Sequence, residues 1–435
     1  MNRRTHLRRG FTLIELMISL VMGLIIALAA VGLARSATTT FYEQARISGV
    51  EANVRAASER LRNDLSRVSY MSTPNIHWDP RVSRTPQVLG STPYRITALQ
   101  NLQGLRLAPA AIRTHALETK NSLTPHDVFI AGNLTSDDVY RGQFVADVSS
   151  CGGGSAQIRL NADADPAVRR LFNGATTSAA RQQMTQLVFT PGERMVPAQT
   201  GFSYAVQVMD MRGCYNYMTI CAVIQSARPN EVLLDLAGDA TSGILTPANT
   251  GGDVCGARVM EEVAIAPIQR VRWSLAAETD TRRLDPVIDV EGALTKKLNL
   301  ERQVLAADGT TTIGPAEVIA EYAVDLKLGL FVDPSPGTPN PTNIDFEAAD
   351  TTFASWTGPV TGTTTTAVGP HRIRSVRYRL AFRTSFPDRR ADLAMPSGPP
   401  YISRYCTKNV TPCTDYARVR TVISEVALMN QKRNF

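Results

Sequence analysis

The sequence predicts an α+β protein in which one long N-terminal helix packs on an antiparallel β-sheet head with large loop insertions. Three observations favour this fold class. Residues 11–34 form an apolar run, residues 47–68 continue with helical periodicity, and strand patterns dominate from residue 73 onward. The chain of 435 residues is long enough for a sizeable core, and its content of 43% apolar and 20% charged residues is typical of a folded protein.

The positive charge is concentrated at the N-terminus. The net charge is +7, and Arg3, Arg4, Arg8 and Arg9 supply four of these charges, so that the remaining 42 basic and 39 acidic residues leave +3. No basic stripe interleaved with aromatic residues is present in the sequence. We therefore expect no nucleic-acid partner.

The apolar run from Phe11 to Ala34 has the length of a membrane-spanning helix. Its 24 residues at about 1.5 Å each cover the ~30 Å hydrocarbon core of a bilayer. The basic residues before it favour a cytoplasmic position for residues 1–10 and export of the rest of the chain. This pattern predicts a single-pass inner-membrane protein with a periplasmic head.

Two export signals would also fit this region. A secretory signal could be cleaved after Ala27-Leu28-Ala29, and Arg8-Arg9-Gly10-Phe11 contains the arginine pair of a twin-arginine signal. Either signal would leave a soluble periplasmic binding protein. Neither explains Glu15, because a charged side chain at membrane depth costs about 2.5–3.5 kcal/mol on insertion scales.

The stretch Gly10-Phe11-Thr12-Leu13-Ile14-Glu15-Leu16 resembles the processing site of type IV pilins and of type II secretion pseudopilins. The resemblance implies that a prepilin peptidase cuts after Gly10 and that Phe11 becomes the N-methylated first residue. Gly10 has no side chain, so the chain can lie extended in a peptidase cleft. Glu15 can pair with the new α-amino group of its own chain or of a neighbouring subunit, and a buried charge needs such a partner.

One position departs from the family pattern. Major pilins often carry a proline in the middle of this helix, where it melts in the filament. This chain has Gly32 at the corresponding place, with Gly23 before it. Glycine weakens a helix by about 1 kcal/mol relative to alanine, so the sequence leaves open whether this helix melts.

The helix is expected to continue as an amphipathic segment over residues 35–72. One apolar face consists of Ile47, Val50, Val54, Ala57, Leu61, Leu65 and Val68. The opposite face carries Arg46, Glu51, Arg55, Glu59, Arg62 and Asp64. Pro74 closes the segment, so we expect one helix from about Phe11 to about Ser69 and a β-rich head over residues 73–435.

The head shows strand patterns separated by loops rich in Pro, Gly and Thr. Strands are expected at residues 127–132, 204–211, 219–236, 270–278, 323–333 and 375–385, with a hairpin turn at Pro229-Asn230. In the last of these, Val376, Tyr378, Leu380 and Phe382 alternate with arginines. We interpret the arginines as the solvent face of an edge strand.

The order of the segments around residues 270–278, 298–305, 320–333, 372–385 and 418–430 resembles PilW-type minor pilins. The J-type pseudopilin of type II secretion is the close alternative, and residues 75–265 match no family pattern. The resemblance implies a type IV pilin fold and a role in priming pilus assembly at or near the tip. The implied partners are the prepilin peptidase, other minor pilins, the major pilin and a large tip adhesin.

Six cysteines lie outside the membrane helix, and the oxidising periplasm favours disulfides. Cys406 and Cys413 bracket six residues and form the best pair. Cys214 and Cys221 have the same spacing, but we expect them to flank a tight hairpin. With Cys151 and Cys255 they allow three connectivities that sequence does not distinguish.

The sequence contains no recognisable catalytic or metal-binding set. Cys-x-x-Cys, His-Glu-x-x-His, Gly-x-Ser-x-Gly and P-loop motifs are absent, and the five histidines are scattered. The glycine-rich residues 151–156 are expected to form a loop. Asp163 and Asp165 could bind calcium, but an ordinary turn is the better interpretation. We therefore expect a non-enzymatic protein without a cofactor.

Overall fold

The computed structural model describes residues 12–76, 79, 81–83, 105–109, 121–145, 156–191, 204–237, 256–292, 294–307, 309–334, 341–357, 369–387, 403–408, 412–413 and 415–431. The chain divides into two compact units, Met1–Ala52 and Asn53–Phe435. A long N-terminal helix is followed by a large antiparallel β region, so the predicted α+β fold class is confirmed.

The N-terminal helix α1 extends over Leu13–Ser66 and is continuous through Gly23 and Gly32. Its end agrees with the prediction to within a few residues. The chain then turns at Ser69 and Met71, which both adopt positive φ angles. Asn430 stabilises this end of α1, because its side-chain amide donates to the backbone carbonyls of Ser66 and Val68.

Within the second unit, the last turns of α1 and the residues just after them bury the predicted apolar face, including Val54, Ala57, Leu61, Leu65 and Val68. Asp64 is a correction to the expected polar face, because its side chain is buried. Its Oδ2 accepts hydrogen bonds from Trp273 Nε1 at 3.0 Å and from Arg302 Nε at 2.7 Å. The buried carboxylate therefore anchors the helix to the sheet through a charged partner and a neutral one.

The head contains short helices and many strands. The helices are α2 (Pro166–Leu171), α3 (Ser178–Phe189) and α4 (Asp350–Thr357). The strands before residue 240 are β1 (Leu105–Pro109), β2 (His126–Gly132), β3 (Tyr140–Val145), β4 (Ala156–Asn161), β5 (Tyr204–Met209), β6 (Tyr215–Gln225) and β7 (Glu231–Ala237). Those after it are β8 (Glu262–Ala277), β9 (Val290–Glu291), β10 (Leu294–Thr295), β11 (Leu298–Leu305), β12 (Thr312–Glu321), β13 (Ala323–Val332), β14 (Thr342–Ile344), β15 (Ile373–Arg383), β16 (Arg404–Cys406) and β17 (Tyr416–Ala427).

Six strands close into an antiparallel barrel in the order β8-β3-β4-β7-β6-β5 and back to β8. The N-terminal half of β8 makes the closure, because it pairs with β3 through Ile265 and with β5 through Ile268. The barrel interior is filled by buried side chains that include Phe144, Ile158, Leu160, Val206, Val208, Val232, Leu234 and Val263. Closure removes the sheet edges that would otherwise remain unpaired.

The C-terminal half of β8 leaves the barrel and joins a second sheet. There it pairs with β2 on one side and with β11 on the other, and β1 and β12 extend the sheet at its two ends. Trp273 lies in this half of β8 and is fully buried. One strand of sixteen residues thus connects the barrel to the sheet that holds α1.

A third sheet has the order β14-β13-β15-β17-β16. The strand β15 lies between β13 and β17, so the interpretation of its arginines as the solvent face of an edge strand is wrong. Arg379 and Arg383 are 3% and 1% exposed. Arg379 is charge-paired with Asp325 at 2.8 Å and with Glu347 at 2.9 Å, which is how the sheet tolerates a buried guanidinium.

The hairpin predicted at Pro229-Asn230 is present. Its strands are β6 and β7, which pair from Thr219–Ala237 at one end to Gln225–Val232 at the other. Asn230 has φ of 61°, a conformation that asparagine adopts more readily than most residues. The turn residues Pro229 and Asn230 therefore predicted the position of this hairpin.

Candidate assembly site at the N-terminal helix

Thr12 and Glu15 form a reciprocal cap at the start of α1. The backbone N–H and the hydroxyl of Thr12 each donate to Glu15 Oε2 at 3.1 Å. The backbone N–H of Glu15 is 3.3 Å from Thr12 Oγ1, which accepts from it. This is a capping box of the form Thr-x-x-Glu, and it satisfies backbone donors that have no partner inside the helix.

The capping box gives Glu15 a structural role that the sequence argument missed. The spacing of Thr12 and Glu15, immediately before an apolar run, was the sequence signal that could have found it. The carboxylate also lies at the positive, N-terminal end of the helix dipole. No cation pairs with Glu15 among the described residues.

The helix beyond Glu15 exposes an apolar surface. Large apolar side chains from Leu13 to Leu33 are more than half exposed, and Leu13 itself is 79% exposed. In the part of the chain that the structure describes, α1 is the one helix long and apolar enough to cross a membrane. A surface of this size and chemistry needs a bilayer or neighbouring apolar helices to cover it.

The predicted processing junction lies just before this helix. Gly10 and Phe11 are outside the described residues, so the cleavage and methylation positions stay predictions. Thr12 is the first described residue and is exposed. The described part of the site therefore consists of the capped Glu15 and the apolar helix that follows it.

Comparison with known families gives one match in this region. Residues 5–31 match the family model described as the prokaryotic N-terminal methylation motif. The match supports a type IV pilin-like or pseudopilin protein. No curated protein and no solved structure matches this chain. The motif and the apolar helix together suggest membrane anchoring, and the motif suggests a structural protein.

The motif also implies a class of partners. Proteins with this N-terminus are processed by a prepilin peptidase and assemble with other pilins, so both are implied for this pilin-like chain. The matched segment contains Gly10, Phe11 and Glu15. It does not extend into the head, so the head's own partners are a separate question.

The structure contains a disulfide between Cys406 and Cys413, with a Cα–Cα distance of 6.1 Å. It joins the end of β16 to the segment before β17, and these two strands pair through Cys406 and Tyr416. Asn121 makes two hydrogen bonds to the backbone of Cys406. Its side-chain amide donates to the Cys406 carbonyl, and its Oδ1 accepts from the Cys406 N–H. The bond therefore closes the loop that precedes the terminal strand.

Cys214 and Cys221 do not flank a hairpin, contrary to expectation. Cys214 directly precedes β6 and Cys221 lies within it. Six residues of strand separate their positions by about 20 Å, whereas bonded cysteines have Cα atoms within about 7 Å. Both are disulfide-bonded, so each has its partner elsewhere. A bond between Cys214 and Cys221 is therefore excluded. Cys151 and Cys255 lie outside the described residues.

The acidic residues considered for calcium take part in a turn. Asp165 is the N-cap of α2 and accepts from the Ala167 N–H at 3.1 Å and from the Arg141 N–H at 2.7 Å. Asp163 accepts from the Asn230 amide. Across the described ranges, no group of three or more metal-ligating side chains occurs. The glycine-rich residues 151–155 are outside those ranges.

Proposed function

We propose that this chain is a minor pilin of the PilW type that primes assembly of a type IV pilus and lies at or near its tip. The observation that carries the proposal is the N-terminal methylation motif over residues 5–31, followed by an exposed apolar helix that begins with a capped glutamate. Such a protein acts in the assembly of the pilus filament. Its helix is held first by the bilayer and then by other helices in the filament.

The proposed processing follows the family pattern. A prepilin peptidase cuts between Gly10 and Phe11, and Phe11 is methylated on its new α-amino group. Residues 1–10 stay in the cytoplasm and residues 73–435 face the periplasm, consistent with the basic leader. Glu15 then lies four residues from the new amino group. It serves as a docking residue when a neighbouring helix brings a second amino group close to it.

The head favours a pilus over a secretion pseudopilus. It contains a closed barrel in addition to further sheets, which gives an exposed subunit a large surface for contact with other minor pilins or a tip adhesin. A subunit at the tip also has no neighbour above it, so a large head fits there without a clash. The major pilin would then extend the filament below it.

The second candidate is a J-type pseudopilin that caps the pseudopilus of a type II secretion system. It shares the methylation motif and the exposed helix, so the same observations are compatible with it. A soluble periplasmic binding protein is a third candidate. It would require removal of residues 1–29 and hence of most of the apolar helix.

Deletion of the gene in its own host separates the first two candidates. We expect loss or strong reduction of surface pili, measured by shearing and electron microscopy, with normal secretion of type II substrates. Gold-labelled antibody against the head should mark filament ends. Normal pili together with failed secretion would overturn the pilus assignment in favour of the pseudopilin.

A further inference from the structure

The strand β17 leaves one of its two edges open over half of its length. On one side it pairs with β15 as far as Ala427, and on the other it pairs with β16 only as far as Arg418. One further hydrogen bond, from the Val419 N–H to the Ser403 carbonyl at 2.9 Å, ends the contact on that second side. Beyond it, no strand among the described residues pairs with the second side of β17. We call this part of β17, residues 422–427, the open edge.

The hydrogen bonds at the two ends of the β15–β17 ladder fix which residues of β17 bond to β15. The Thr384 N–H donates to the Arg418 carbonyl at 2.9 Å, and the Leu428 N–H donates to the Arg374 carbonyl at 2.9 Å. The register between these two ends is regular, without a bulge. Because every second residue of an antiparallel strand bonds to the same neighbour, the even-numbered residues of β17 bond to β15.

The odd-numbered residues of the open edge therefore point their backbone groups outward, as Val419 does. Each of three residues presents one N–H and one C=O there, and these residues are Ile423, Glu425 and Ala427. None of the six groups has a hydrogen-bond partner in the part of the chain that the structure describes. Alternating donors and acceptors at strand spacing match the backbone of one extended peptide.

The side chains of the open edge also favour strand pairing. Val422, Ile423 and Ser424 are partly buried, and Val426 is buried. Three of these four are β-branched, which suits a pleated and half-buried surface. Glu425 is exposed and is the one charged residue of the open edge. A partner strand gains most if it carries a basic residue opposite this carboxylate.

Other edge strands of the head have features that discourage pairing. The strand β12 contains Pro315, and its pairing with β11 is interrupted by two register shifts. The strands β14 and β16 have only three residues each, and α4 lies against β1. Proline, bulges, short length and a covering helix are the means by which proteins block unwanted pairing. The open edge has none of these four, which indicates that it is kept for a partner.

We propose that the open edge binds an extended segment of a neighbouring pilin-like subunit, which adds to the sheet as a strand and places a basic residue opposite Glu425. The inference rests on the proposed function, because that function supplies the neighbouring subunits. A second copy of this chain fits less well, since residues 422–427 include no basic side chain that it could place opposite Glu425.

The test mixes the full-length protein in detergent with purified full-length pilin-like subunits of its own host, one at a time. We expect one of these subunits to bind. Binding should slow amide hydrogen exchange at least tenfold at Ile423, Glu425 and Ala427. Exchange at the even-numbered residues between them should change little, because their N–H groups already bond to β15. Mass spectrometry with electron-transfer fragmentation distinguishes neighbouring residues.

Two variants at Glu425 separate the backbone from the side chain. Glu425→Pro removes one outward N–H and leaves the hydrogen bonds to β15 in place, as proline does on an edge strand. It should weaken binding at least about thirtyfold, since the proline ring also blocks the approach of the partner strand. Glu425→Gln is the matched control, because it removes the same charge and keeps the N–H, and it should weaken binding by no more than about fivefold. Unchanged exchange at the even-numbered residues of unbound Glu425→Pro checks that the sheet is intact.

Four results would overturn the inference. Binding of a subunit with unchanged exchange at the open edge would place the contact elsewhere and leave the proposed function standing. Equal losses of affinity in Glu425→Pro and Glu425→Gln would remove the role of the backbone. Slower exchange at the open edge as this protein alone is concentrated would identify a second copy as the occupant. Failure of every subunit to bind would leave the open edge without the proposed partner, and pilus formation after gene deletion tests the proposed function separately.

Discussion

The Glu15 carboxylate accepts hydrogen bonds from both the backbone N–H and the hydroxyl of Thr12, at 3.1 Å each. Glu15 therefore has two possible functions, as the cap of α1 and as the docking residue between subunits. The two differ in what they require. A capping box works with either Glu or Gln at this position, whereas pairing with an α-amino group requires the negative charge.

The first prediction separates these functions. Glu15→Gln retains the cap and removes the charge, and Glu15→Ala removes both. We expect both variants to be cut normally and to reach parental levels in the membrane, because a residue near the end of a membrane helix can stay hydrated. Both should be depleted at least tenfold from sheared pili.

Thr12→Ala provides the matched control. It breaks the cap, which costs about 1 kcal/mol, and leaves the carboxylate in place. Quantitative immunoblots of pilus and membrane fractions should show Thr12→Ala near parental incorporation. If Glu15→Gln enters pili normally while Thr12→Ala does not, Glu15 acts as a cap and the docking role is wrong.

The second prediction concerns the disulfide. Loss of the Cys406–Cys413 bond should lower the free energy of unfolding by about 2–3 kcal/mol, because it closes a short loop before β17. Urea denaturation of Cys406→Ser/Cys413→Ser measures the change. Alkylation of unreduced parental protein checks the bond directly, and labelling of both thiols would contradict it.

The third prediction concerns the buried pair Asp325–Arg379. Asp325→Ala should destabilise the head by about 3–5 kcal/mol, because Arg379 stays buried and loses one of the two carboxylates that pair with it among the described residues. Glu262→Ala is the control, since its contact with Arg141 is exposed at 3.3 Å and such pairs contribute about 0–1 kcal/mol. Similar losses in urea midpoints for the two variants would refute the structural importance of the buried pair.

The fourth prediction is a pH dependence at His371. Burial, together with the neighbouring charges of Arg372 and Arg374, lowers the pKa of His371 to about 4. The neutral ring is 3.3 Å from the Asn75 side-chain amide, which donates to Nδ1. The unfolded chain binds a proton at His371 near pH 6.5, whereas the folded chain keeps the ring neutral until the pH nears 4. The contribution of the neutral ring to the free energy of unfolding is therefore fully present above pH 6.5 and is lost as the pH falls toward 4.

We therefore expect the parent to lose about 2–3 kcal/mol more than His371→Asn when the pH falls from 7.5 to 4.5. Comparing the two proteins removes the contribution of other groups that titrate in this range. Urea unfolding at both pH values gives the difference. An equal loss in the two proteins would show that His371 does not titrate with a lowered pKa.

The sequence predicted α1 and many of the strands because their patterns are local. The apolar run and the spacing of Val54, Ala57, Leu61 and Leu65 follow from helix periodicity alone. The Pro229-Asn230 turn followed from turn chemistry. The capping box was equally local and was missed because Glu15 had already been interpreted as a docking residue.

Other errors were in long-range relationships. Arg379 and Asp64 looked like surface residues, because their partners Asp325, Trp273 and Arg302 are distant in sequence. The barrel could not be predicted either, since closure requires β8 to pair with β3 and β5 at once. Alternation within a strand shows which residues share a face and does not show which strand lies beside it.

The central claim is that the chain is processed as a prepilin. We expect mass spectrometry of the mature protein to find Phe11 as the first residue, carrying one added methyl group on its α-amino nitrogen. Gly10→Val should leave the full leader in place, because a β-branched side chain does not fit where the peptidase accepts glycine. A mature chain that begins after Ala29, or one that retains residues 1–10 in the parent, would contradict the pilin assignment.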